Sequence, residues 1–177
     1  MVKNNEPARI RAVSADDAEL VRDLYLRMLA DSPDAFGETL DNAQRRTTAE
    51  WQAFVNHCVV GNEIIAFIGE DTRGSCGFVR GELGDPRTPP GTVLVSELWV
   101  APEQRSLGLG RELMNSVTRW AEARHAIRIS LGVAEKNLAV QGFYKKLGYA
   151  DTGRRVPLPS NETLQVVVMV RTFETIF

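Results

Sequence analysis

Apolar residues at Leu20, Val21, Leu24, Tyr25, Met28 and Leu29 recur at the spacing of one helix face. Before them, Arg9 to Val13 alternates like a strand, and Ser14 with Asp17 stands at capping-box spacing. A helix from about Ala15 to Ala30, closed by Pro33, is predicted. Thr47-Thr48-Ala49-Glu50 is a second capping box, leading a helix through Trp51, Phe54 and Val55. The polar stretch between them, Asp31 to Arg46, carries Pro33 and Gly37 and is expected to be a loop placed as a lid.

From Glu63 the period changes to two. Ile64 to Ile68 and Ser75 to Arg80 read as strands joined by a hairpin turn at Asp71 to Gly74. A Pro/Gly-rich loop, Glu82 to Gly91, precedes a strand over Thr92 to Val100. Leu109, Leu113, Val117, Trp120 and Ala121 then mark a helix over Gly108 to Arg124, followed by a strand from Ile127 to Val133. Asn137 to Leu147 is helical again and Gly148 stops it. Tyr149 returns to strand, through Pro157-Leu158-Pro159 into a last strand over Leu164 to Phe173. The order is strand, two helices, three strands, helix, strand, helix, two strands. With no internal repeat or linker, it predicts one α/β domain spanning residues 1–177.

Composition narrows the function. With 44% apolar and 25% charged residues in 177, the chain has the profile of a globular domain, which excludes disordered and collagenous classes. Lys+Arg 21 against Asp+Glu 23 gives a net charge of −2 without a basic block, so no nucleic-acid partner is expected. The apolar run Val166 to Val170 is far shorter than the roughly 20 residues that cross a bilayer. Met1 to Val13 has no apolar signal core, so no membrane association and a cytoplasmic location are expected. Cys58 and Cys76 lack Cys-x-x-Cys spacing, and His57 and His125 have no metal-ligand spacing. Two reduced thiols and no metal are expected.

The densest chemical signal is Glu97-Leu98-Trp99-Val100-Ala101-Pro102-Glu103-Gln104-Arg105-Ser106-Leu107-Gly108-Leu109-Gly110. A strand ends and a Gly-spaced turn opens a helix. The first amides of a helix lack internal acceptors and sit at its positive end, so such a turn can cradle a pyrophosphate. A nucleoside-triphosphate loop needs Gly-Lys-Ser/Thr, whereas Arg111-Glu112 follows Gly110. The dinucleotide fingerprint needs a third glycine where Leu113 stands. Glycines that only permit tight packing remain an alternative for the turn alone.

Arg105-x-x-Gly108-x-Gly110, taken with Asn137-Leu138-Ala139-Val140-Gln141-Gly142-Phe143-Tyr144-Lys145-Lys146-Leu147-Gly148-Tyr149, closely resembles the GCN5-related N-acetyltransferase (GNAT) superfamily. Ser32-Pro33-Asp34-Ala35-Phe36-Gly37 and Pro157-Leu158-Pro159-Ser160 further resemble a large group of its bacterial members. The resemblance implies a mixed, mostly antiparallel sheet splayed between strands four and five and flanked by about four helices. It implies acetyl-CoA as acyl donor: its pyrophosphate on backbone amides of Arg105, Ser106, Leu107, Gly108, Leu109 and Gly110, its pantetheine arm along Leu98, Trp99 and Val100 and against Asn137, and Tyr144 pointing at the sulfur. Val140 departs from the small residue frequent at its position.

Acyl transfer to an amine needs a neutral nucleophile, a polarised carbonyl and a proton for the departing thiolate. A lysine-like amine of pKa about 10.4 costs roughly 4 to 5 kcal/mol to deprotonate at pH 7, so a base is useful. Glu97, just before the strand edge, is the candidate base, directly or through a water, and Tyr144 the candidate acid. Neither cysteine lies near the two motifs, which favours direct transfer. The expected acceptor is a small-molecule amine. A protein lysine or N-terminal amine, or a silent acyl-CoA sensing module, are the alternatives. Asp31, Asp34, Glu38 and Asp41 of the lid would suit a cationic acceptor or serve solubility alone, and Arg154 and Arg155 would receive a carboxylate or stand solvated. The apolar tail Phe173 to Phe177 is a candidate surface for a homodimer.

Overall fold

Thr47 and Glu50 show how directly the chain writes its helices. The Thr47 amide donates to the Glu50 carboxylate at 2.7 Å, the Glu50 amide donates back to the Thr47 hydroxyl at 3.3 Å, and α3 (Thr48–Val59) begins there. The computed structural model describes residues 8–60 and 62–173. Its further elements are β1 (Arg9–Ala12), α1 (Ala18–Asp31), α2 (Leu40–Gln44), β2 (Ile64–Asp71), β3 (Gly74–Leu83), β4 (Thr92–Val100), α4 (Leu109–Glu122), β5 (Arg128–Ala134), α5 (Leu138–Lys146), β6 (Ala150–Leu158) and β7 (Asn161–Thr172). The start of the expected signal-free N-terminal stretch and most of the apolar tail lie outside the described residues. Among the described residues no helix is long and apolar enough to cross a membrane.

Two elements depart from expectation. The first helix starts at Ala18 rather than Ala15, because the Asp17 carboxylate turns back to accept from the Ser14 amide at 2.7 Å and pairs with Arg11 at 2.6 Å. Ser14 to Asp17 is therefore a turn, and burial of Asp17 against a cation outweighs a helical cap. The expected lid loop contains the short helix α2, capped by the Thr39 hydroxyl, which accepts from the Asn42 amide at 3.3 Å.

The strands form one seven-stranded sheet ordered β1-β2-β3-β4-β5-β7-β6, antiparallel except for the β4–β5 pair. That parallel pair extends only from Thr92–Arg128 to Val95–Leu131, after which the two strands continue without pairing each other. The splay implied by the resemblance is present, with five α-helices around it.

Alternation along β3 divides the layers. Phe78 and Arg80 face α1 and α3, where the Tyr25 ring lies 5.4 Å from Trp51, 5.7 Å from Phe54 and 6.5 Å from Phe78. Gly77 and Gly81, with Gly69 of β2, face α4. A Cβ there would come within 2.9 Å of Leu109 at Gly69, 3.0 Å of Leu113 at Gly77 and 2.9 Å of Val117 at Gly81. This glycine floor lets α4 sit close on the sheet and fixes the position of its N-terminus. Filling it with methyl groups would cost about 1–3 kcal/mol per site.

Candidate active site

Between β4 and α4 the backbone passes through two left-handed residues, Ser106 at φ 64° and Gly108 at φ 94°. A side chain at Gly108 would meet nothing within 4 Å, so its conformation rather than space calls for glycine. The resulting loop leaves the amides from Ser106 to Arg111 without a backbone acceptor among the described residues, at the positive end of a 14-residue helix. This row of free N–H groups fits a pyrophosphate. The Arg105 amide, by contrast, already donates to the Pro102 carbonyl at 3.3 Å. Its guanidinium Nε donates to the Val100 carbonyl at 2.9 Å, and Nη2 pairs with Asp31. Gln104 is buried and hooks Asp71, anchoring the loop from below.

Strand β4 is bent where the site needs it. Phe78 pairs with Trp99 but Arg80 pairs with Ser96, so Glu97 and Leu98 together oppose Val79 in a β-bulge. Glu97 sits in the left-handed region at φ 53°, two residues beyond the last residue paired with β5. Leu98 and Val100 border the opening. Trp99 contributes backbone there, because its buried indole Nε1 donates to Asp31 at 2.9 Å.

Around the Glu97 carboxylate the Ser96 hydroxyl donates to Oε2 at 2.5 Å and the Tyr25 hydroxyl reaches Oε1 at 3.5 Å. Arg80 donates to Ser96 Oγ at 3.4 Å and to Glu82 at 2.6 Å. Burial pushes the Glu97 carboxyl above its ordinary value, and the opposing pull of Arg80, Ser96 and Tyr25 does not restore it. Cys58 is buried nearby, and burial pushes its thiol up to about 11, which keeps it neutral. No local motif marks Tyr25 or Ser96. Arg80 did carry a signal, as a lone cation inside an apolar strand.

From the opposite wall, α5 presents Tyr144, 6% exposed, with ring centroids 5.1 Å from Phe143 and 5.6 Å from Tyr149. No described protein group hydrogen-bonds its hydroxyl, and burial pushes its pKa well above the ordinary phenol value, so it stays protonated. Asn137 caps α5: its carbonyl accepts from the Val140 amide at 3.1 Å, leaving the side-chain NH2 free to donate. Phe143 lies 3.5 Å from where a Cβ on Gly110 would be, so α5 leans on the first turn of α4.

Gln104 to Ser106, Gly108 and Gly110 of the loop, Ser96 to Val100, Asn137, Phe143 and Tyr144 line one cleft of about 1260 Å³, while Tyr25, Arg80 and Cys58 stand behind its wall. It runs from Ser106, Gly108 and Gly110, past Glu97 to Val100, Asn137 and Tyr144, to Phe36 and Gly37 of the lid and Val156 to Pro159 of β6 and its turn. Leu107 and Leu109 stand outside it: Leu107 is exposed, and Leu109 packs into the glycine floor. The lid expectation is met, since the Ser160 hydroxyl donates to the Phe36 carbonyl at 2.6 Å and Gly37 packs against Pro159 across the opening. Three of its four acids are already paired, and Glu38 stands near enough to Tyr25 and Glu97 for its charge to raise the pKa of both. Asp31 holds Trp99 and Arg105, Glu38 pairs with Arg46 and Asp41 with Arg45, each of the last two at 2.5 Å, and none lines the cleft. Asp34 is exposed and does not line the cleft either, so the pairings give the lid acids a role in holding the lid rather than in lining the site. Among the described residues no group of His, Cys, Asp or Glu could hold a metal ion.

A family model described as "Acetyltransferase (GNAT) family" matches residues 19–149. Among solved structures, an acetyltransferase of the GNAT family from Streptococcus pneumoniae is 19% identical, covering 94% of this chain and 99% of its own with a TM-score of 0.78. The Salmonella typhimurium protein yncA, solved with its cofactor acetyl-CoA, is 18% identical, with 97% of both chains covered and a TM-score of 0.76. Spermidine N-acetyltransferase from Vibrio cholerae, in complex with CoA and spermine, is 19% identical, covering 95% and 96% at a TM-score of 0.71.

Proposed function

The chain belongs to the acetyltransferase (GNAT) family, and from that premise we propose that it transfers acetyl from acetyl-CoA directly to a primary amine of a small molecule. The observation that carries this is convergence. Unpaired helix N-terminal amides, an unpaired strand edge, a half-buried carboxylate and a buried phenol all open onto one cleft.

Acetyl-CoA supplies a thioester whose acetyl group is transferable. The amides from Ser106 to Gly110 would hold its pyrophosphate, while the β4 edge from Leu98 to Val100 and the Asn137 amide would hold the pantetheine arm. Glu97, ionised above its raised pKa, accepts a proton from the incoming ammonium, directly or through a water, and exposes the nitrogen lone pair. Tyr144 keeps its proton until sulfur departs and then donates it. The nitrogen sheds two protons between ammonium and amide: the first goes to Glu97 and on to solvent, and the second, lost as the C–S bond breaks, replaces the proton that Tyr144 gives to sulfur. The lid clasped across the cleft by Ser160 and Pro159 favours a small acceptor over a folded protein surface. The spermidine enzyme among the structural neighbours acts on such an amine. An intracellular acyl donor fits a cytoplasmic location.

The test is an amine panel that follows CoA release, run beside calorimetric titration with acetyl-CoA. Cofactor binding together with amine-dependent thiol release is expected. Binding without release from any small amine would leave a silent acyl-CoA module, and release only with peptides would move the acceptor to protein.

A further inference from the structure

We propose that the acceptor carries a carboxylate as well as its amine, and that Arg154 holds that carboxylate; this rests on the acyl-transfer reading above. The argument begins with the charges that line the cleft. Its cations are Arg87, Arg105, Arg111, Lys146 and Arg154, and its one acid is Glu97. Arg87 is neutralised by a bidentate pair with Asp85, closest at 2.6 Å, and Arg105 by Asp31. Arg111 stands in the first turn of α4 beside the free amides. Lys146 lies one turn after Phe143, which touches that same turn, so both belong to the end suited to phosphate.

Arg154 is different. Pairing of β6 with β7 and of β7 with β5 brings Arg155 level with Val133 and Val156 level with Ala134, at the end of β5 where the sheet has parted. Arg154, Val156, Pro157 and Leu158 of β6 line the cleft beside the lid clasp; pairing with β7 is irregular between Asp151 and Arg155 and between Pro157 and Leu158, so their place comes from the cleft wall itself and not from regular alternation. The nearby carboxylates, Asp151 and Glu135, are taken by Arg155, at 2.9 and 2.8 Å. The Arg154 guanidinium thus has no carboxylate partner among the described residues, at the end of the cleft away from the cradle. A polyamine would bring its second ammonium to a wall with no free acid to receive it. A carboxylate would find a planar, permanently charged donor. With the amine directed to Glu97 and the carboxylate to Arg154, the cleft selects an amino-acid-like acceptor.

The experiment assays a panel of amino acids, each beside its carboxamide, together with spermidine, by CoA release with the full-length enzyme. The ratio of kcat/KM between acid and carboxamide is compared across wild type, Arg154→Gln and Arg154→Lys, because the carboxamide's amine is also less basic. Arg154→Gln is expected to lower kcat/KM for the acids by about 10- to 100-fold through KM. The carboxamides and the affinity for acetyl-CoA should stay within about twofold, and Arg154→Lys should restore part of the loss. Equal or better use of carboxamides or spermidine, or an acid preference that survives Arg154→Gln, overturns the assignment while leaving acyl transfer intact. Absence of CoA release with every amine, in an enzyme that binds acetyl-CoA, overturns both.

Discussion

Glu97→Gln keeps side-chain size and removes only the capacity to take a proton, so its consequences can be worked from the surroundings. In the wild type the carboxyl is held above its ordinary value of about 4.3 by burial. The base form therefore appears only as pH rises through that raised value, and kcat/KM for a good amine should fall on the acid side of it. Glutamine cannot titrate. The variant should lose about 100-fold or more in kcat/KM near neutral pH, the usual contribution of a positioned base, and its residual rate should climb toward alkaline pH as the free amine deprotonates unaided.

Stability supplies a second, independent sign. A carboxyl with a raised folded pKa binds its proton more tightly when native, so it lowers stability as pH rises from the unfolded pKa through the folded one. Each unit of elevation costs about 1.4 kcal/mol above that range, and glutamine is free of the cost. Against this, one of the two donors, the hydroxyl of Ser96 or of Tyr25, loses an acceptor, worth about 1 kcal/mol. Thermal melts should place Glu97→Gln level with or above the wild type at neutral pH, and that relative gain should vanish toward acid. A variant that keeps its rate within threefold, or retains the wild-type acid limb, would show that Glu97 is not the base. A rate loss accompanied by a clearly lower Tm at neutral pH would reassign the residue to structure.

Other perturbations read different parts of the site. Tyr144→Phe should lower kcat by about 10- to 100-fold with acetyl-CoA affinity unchanged in calorimetry, because the phenol acts only on departing sulfur; an unchanged kcat removes the acid role. Gly108→Ala meets no neighbour but forces a side chain to φ 94°, so roughly 1–2 kcal/mol of stability and most of the acetyl-CoA affinity should go together. Retained affinity would mean that the loop amides do not bind the pyrophosphate. Asp31→Ala should lower Tm by an amount equivalent to about 1 kcal/mol after solvent screening, since Trp99 and Arg105 lose their shared acceptor. Burial raises the Asp31 carboxyl, but hydrogen bonds from Trp99, Ser32 and Arg105 leave it below the ordinary value. Its stabilisation is therefore present above about pH 4 and lost as pH falls through the lowered value, so melts of variant and wild type should converge in strong acid.

The element order was legible because each helix face and strand in this chain keeps its own period, and the Thr47 box, the Gly148 stop and the Asp71–Gly74 turn carry local chemistry. Helix α2 was not, since Leu40 to Gln44 is too short to show a period. The Ser14 start was displaced because Arg11, on a neighbouring strand, competes for Asp17, a contact that spacing cannot reveal. The pyrophosphate turn stood out through its glycines. The environment of Glu97 is assembled from β3, β4 and α1, 72 residues apart between Tyr25 and Glu97, and no local pattern encodes such a meeting. The lid acids looked like a ligand-facing set because their partners were not evident: Arg45 and Arg46 close off α2 and turn back on Asp41 and Glu38, and Asp31 meets Arg105 from the loop before α4, 74 residues away.

One residue joins the two halves of the site. The left-handed turn at Glu97 adds the extra residue that bends β4, just beyond the point where β4 stops pairing with β5 and leaves an open edge, the one proposed for the pantetheine arm. The same bulge sets the carboxylate toward Tyr25 and Arg80, on the face proposed for the acceptor. A regular strand would have offered either a paired edge or a carboxylate on the wrong side, because successive side chains alternate. Strain at a non-glycine residue in this region persists only where the surrounding structure holds it. Here the holding groups are the Ser96 hydrogen bond on one side and the buried Trp99 indole, fixed by Asp31, on the other. Asp31 also holds Arg105, whose Nε caps the Val100 carbonyl at the end of the same edge. The end of α1, the bend in β4 and the start of the loop before α4 are thus one mechanical unit, and the proposed donor and acceptor sites would share it.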